Sequence, residues 1–178
     1  MIPPNKAAPM ASAPMRYSDD GQVDWGSMWD SFCALALDGG PPHRGTMLHP
    51  GDASEPASPA YQAVVAEIAR GVLAVSGLRA EAAAPGWLAL TCDSPGMARW
   101  LAEAIVGENV AARHEGARLL VPTGANYSLK GEIKNVITAV AKTTHYWREH
   151  LPQAAKEAVE SQERLASLWR GLRRAFRG

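Results

Sequence analysis

The sequence predicts an α+β fold. A β-β-α-β-β-α core would build a four-stranded, mostly antiparallel sheet covered by helices, flanked by an N-terminal helix and a C-terminal amphipathic helix. Three observations predict it. Short apolar runs come in pairs, each pair joined by a turn dipeptide ending in glycine. Each pair is followed by a segment whose apolar residues recur with helical period. The chain, at 178 residues, suits one compact unit with tails.

Taken in order, residues 1–16 are rich in Ala, Pro, Met and Ser and are expected to be a disordered tail. A single domain then spans 17–151, and residues 152–178 form a separate C-terminal helix. Trp25, Met28, Trp29, Phe32 and Ala36 recur at helical spacing, which predicts a helix over 25–37 capped by Asp24 and stopped by Gly39 and Gly40. Residues 39–59 form a long loop whose second half, from Gly51, reads as a plain linker. A helix over 60–75 follows, with Ser58 as cap, Pro59 at its first position and Gly77 at its end.

Segments 78–84 and 87–92 are expected to be strands around Pro85-Gly86, a pair suited to the centre of a type II turn. Asp93 or Ser94 caps the next helix. Its stripe is Met97, Trp100, Leu101, Ala104 and Ile105. Segments 110–114 and 118–121 pair around Glu115-Gly116. A long helix follows over 129–150, and a last one runs from Pro152 toward Phe176.

Lys+Arg and Asp+Glu both number 18, so the net charge is zero. A polyanion-binding protein is usually basic, and the strands carry no row of stacking aromatics, so nucleic acid is not an expected partner. Two cysteines, Cys33 and Cys92, are too few for a disulfide framework and read as packed thiols. The N-terminus lacks the apolar core of an export signal, and no stretch has the length to cross a bilayer. The expected location is the cytoplasm.

The most unusual local sequence is Gly39-Gly40-Pro41-Pro42-His43-Arg44-Gly45-Thr46. Glycines let a backbone approach a ligand, and prolines stiffen that approach. His43 offers acid/base chemistry, Arg44 a planar fork for an anion and Thr46 a hydroxyl. No established phosphate-loop pattern is present, and the same residues also read as a turn-rich connector.

On the helix over 129–150, Lys134, Thr138, Lys142 and His145 share a stripe opposite the apolar face, with Asn135 on a flank. Such a stripe is commonly solvated surface. Its lysines have few acids at i,i+4 spacing, which favours an anion as their partner. The leading expectation is therefore a small anionic ligand, bound by Arg44, Thr46, Lys134, Asn135 and Lys142. His43 and His145 would be the acid/base residues if a reaction is catalysed. No cofactor is specified. No metal site is expected, because His43 and His49 lie six apart, and His145 and His150 five apart.

The alternative is a non-catalytic interaction protein. In the last helix, Leu165, Leu168, Trp169, Leu172 and Phe176 form one stripe. Arg164, Arg170, Arg173, Arg174 and Arg177 fall elsewhere, with no acid after Glu163. Residues 164–178 thus suit a partner groove or an anionic membrane surface. A homodimer is a further expectation, through an exposed sheet face or helix stripe.

Overall fold

The computed structural model describes residues 15–29 and 44–175. Its elements are α1 (Pro59–Ser76), β1 (Ala80–Ala82), β2 (Trp87–Thr91), α2 (Pro95–Gly107), β3 (Arg113–Glu115), β4 (Arg118–Pro122), α3 (Lys134–His145) and α4 (Gln153–Ala175). The β-β-α-β-β-α order is the one the sequence predicts. The sheet is antiparallel throughout, in the order β1-β2-β4-β3.

Local chemistry accounts for the boundaries. The Ser58 hydroxyl accepts from the Tyr61 N–H and caps α1, and Gly77 closes it at φ 69°, a left-handed backbone suited to glycine. The Ser94 hydroxyl accepts from the Met97 N–H at 3.0 Å and caps α2, so Ser94 rather than Asp93 is the cap. In the first hairpin Gly86 sits at φ 84°, as a type II turn requires at that position. The Asp24 carboxylate accepts from the Ser27 N–H at 3.0 Å, capping the helical turn over 25–29. The rest of the predicted first helix, with Phe32, Ala36 and the glycine stop, lies outside the described residues.

Strand periodicity places Leu88 and Leu90 of β2 beside Leu119 and Val121 of β4 on the inner face. They join one core with Ile68 and Val72 of α1, Leu101 and Ile105 of α2, and Val136, Ile137 and Val140 of α3. Trp25 and Met28 close the core from above, and the Trp25 indole N–H donates to Glu67 at 2.8 Å. On the outer face the Arg113 guanidinium lies over the Trp87 ring, 4.5 Å from its centroid.

Three expectations need correction. The tail does not extend through residue 16: Met15 packs against the core, and Arg16 donates to the Ser27 carbonyl at 3.1 Å. The strand predicted from residue 110 begins instead at Arg113, because Val110 pairs in parallel with Leu48 of the preceding loop. The segment after Gly51 is also no plain linker. Gly51 N–H donates to the Thr123 carbonyl at 3.0 Å, and Ala125 N–H donates to the Asp52 carbonyl at 2.7 Å. Gly51 and Gly124 press backbone to backbone, so a side chain on Gly124 would collide with Gly51.

The long helix also changes character along its length. Two π-helical turns, Leu129–Ile133 and Tyr146–His150, bracket α3. Each is marked by an i→i+5 bond: Ile133 N–H donates to the Ser128 carbonyl at 3.2 Å, and Leu151 N–H to the Tyr146 carbonyl at 2.9 Å.

Candidate functional site

The predicted site residues fall in two places. Arg44 and Thr46 lie on the loop that runs beside residues 109–111. The Arg44 carbonyl accepts from the Asn109 side-chain amide at 2.6 Å, and the Arg44 side chain donates to the Thr46 carbonyl at 3.2 Å. Thr46 is exposed. Farther along, the His49 carbonyl accepts from the Tyr127 hydroxyl at 2.6 Å. This part of the loop is therefore stitched to the domain. His43 lies outside the described residues.

The second group sits on α3, where the two lysines of the stripe are buried rather than solvated and Thr138 and His145 are half-buried. Lys134 is only 5% exposed and Lys142 only 6%. Lys142 pairs with Glu108, at the end of α2, over 2.6 Å. An acid from another element thus supplies the partner that i,i+4 spacing did not reveal. The Arg44 carbonyl reaches Asn109, the neighbour of Glu108, so the loop and Lys142 are linked through residues 108–109. Burial holds the Lys134 ammonium below the usual lysine range, because water that would solvate its charge is removed. Asn135 turns back on its own helix and donates to the Gly131 carbonyl at 2.7 Å.

His145 ends α3. Its ring meets the edge of Trp29 at 5.8 Å, and its Nε2 lies 3.1 Å from Nε2 of His150. Burial pushes the Cys92 thiol up to about 12, which makes it the inert packed thiol expected from its apolar surroundings.

The C-terminal helix divides into two unlike halves. In the first, Glu160 reaches the N-terminus of α2, where the Ser94 hydroxyl donates to it and the Gly96 N–H lies 3.3 Å away. A carboxylate there satisfies helix-end N–H groups and opposes the positive end of the dipole. Glu163 is 3% exposed, with Arg99 at 3.9 Å and Arg170 bonded to it. Val159 packs on the core. In the second half, Leu165, Leu168 and Trp169 are 58%, 65% and 63% exposed. At the helical advance of about 100° per residue these three share one arc, roughly opposite Val159, Glu160 and Glu163. The apolar stripe therefore faces away from the body.

Among the described residues no helix is long and apolar enough to cross a membrane. No protein-family model, curated protein or solved structure matches the chain.

Proposed function

We propose that this protein is a peripheral interaction module that docks on an anionic membrane surface through the second half of α4. One observation carries the reading: Leu165, Leu168 and Trp169 stand more than half exposed on a helix face turned away from the domain. Apolar surface of this kind is covered by something in a working protein. The adjoining chemistry favours a lipid headgroup layer. Arg164 borders the stripe, and after Arg170, which pairs with Glu163, the sequence continues through Arg173, Arg174 and Arg177 without an acid. Arginines hold anionic headgroups while Leu and Trp enter the acyl boundary, which is the division of labour in an interfacial helix.

The test is co-sedimentation of the full chain with vesicles of phosphatidylcholine alone or mixed with phosphatidylglycerol. The expected result is binding to the mixed vesicles, weakened by salt and reduced at least about tenfold by Leu168→Asp with Trp169→Asp. Equal binding by the double variant, or none by the native chain, would discard the proposal.

A second reading, a small anionic ligand held by Arg44, Thr46, Lys134, Asn135 and Lys142, draws support from the burial of two lysines on one helix face, of which Lys142 is already paired with Glu108. Inorganic phosphate should then raise the melting temperature of the native chain and not that of Arg44→Ala. No shift in the native chain removes this reading.

A further inference from the structure

We infer that His145 and His150 form a chelating site for a divalent transition-metal ion. On an α-helix, residues five apart point about 140° away from each other and cannot share an ion. Here α3 ends at His145 and the chain continues as the π-helical turn Tyr146–His150. Bonds from i to i+5 widen the helix and bring residues five apart toward the same side. As a result the two Nε2 atoms lie 3.1 Å apart, with ring centroids at 5.0 Å and planes tilted by 60°.

That separation fits two ligands of one ion. With metal–nitrogen bonds of roughly 2.0–2.1 Å, a tetrahedral ion spaces its ligands about 3.3 Å apart, and a square-planar ion spaces a cis pair about 2.9 Å apart. The observed distance falls between them. Aromatic neighbours hold the rings: Trp29 meets His145 edge-on, and the Tyr146 ring lies 5.7 Å from His150 while stacking on Trp100 at 5.9 Å.

His150 is exposed and His145 half-buried, so an ion has direct entry from water. Among the described residues no group of three or more His, Cys, Asp or Glu side chains is placed to hold an ion. The class follows from the two imidazole nitrogens. Imidazole favours copper, nickel and zinc over the oxygen-seeking calcium and magnesium, and copper binds tightest of the three. Without metal, one ring donates its Nε2–H to the other. Binding needs both Nε2 lone pairs, so the donating ring gives up its Nε2 proton, to its own Nδ1 or to water.

The experiment is calorimetric titration of untagged, chelator-stripped full chain with zinc chloride, repeated with His150→Ala, His145→Ala and His49→Ala. The expected result is one ion per native chain, affinity reduced at least about tenfold by either of the first two changes, and native affinity in the third. Copper(II) should then give a two-nitrogen electron paramagnetic resonance signature that His150→Ala abolishes. His150 is exposed and its replacement should leave the circular dichroism native, so loss of binding there reports ligation rather than unfolding. No heat with the native chain, or native affinity in His150→Ala, would overturn the site.

Discussion

The two halves of α4 use similar residues in opposite ways. Up to Glu163 the helix points carboxylates inward, at the N-terminus of α2 and at Arg99, and Val159 adds apolar contact. At Leu165, Leu168 and Trp169 it points apolar side chains outward, with Arg164 alongside. A helix that merely docks on its own domain would bury its leucines and tryptophan and leave its acids in water. The inversion teaches that polar pinning anchors this helix and leaves its apolar face available for a second surface.

Three measurements sharpen or break that contrast. The largest effect on stability belongs to the pinned half. Glu160→Ala with Glu163→Ala removes the partners of Ser94 and part of the Arg99 environment, and should cost about 2–3 kcal/mol in urea unfolding. Vesicle binding per folded molecule should stay native. Ser94→Ala, which strips the cap of α2 as well as one contact of Glu160, should cost about 1 kcal/mol by the same assay. Leu168→Asp with Trp169→Asp should change stability by no more than about 0.5 kcal/mol, since both residues stand in water. If the outward pair proves as costly as the inward pair, the two halves are not distinct and the docking proposal loses its basis.

Much of the fold was legible because local chemistry and tertiary packing agree. Ser58, Pro59 and Gly77 delimit α1, and Pro85-Gly86 and Glu115-Gly116 mark hairpins that form as predicted. Legibility failed where the outcome depends on long-range contact. Gly51 was read as linker because nothing nearby in sequence reveals its contact with Gly124. The stripe of Lys134 and Lys142 was read from one helix taken alone, and its burial comes from other elements, with Glu108 supplying the charge. The spacing of His145 and His150 argued against a shared ion only under α-helical geometry. No residue type in Tyr146–His150 announces a π turn, so that pairing was invisible before the backbone was known.

The sheet edges carry a further consequence. The β1 edge is three residues long and bears Glu81, and alongside Val110, just ahead of β3, Leu48 already occupies the rim. A short, charged rim offers little backbone for an incoming chain to hydrogen-bond. Recruitment by strand addition, and runaway edge-to-edge stacking with it, is therefore disfavoured in this molecule.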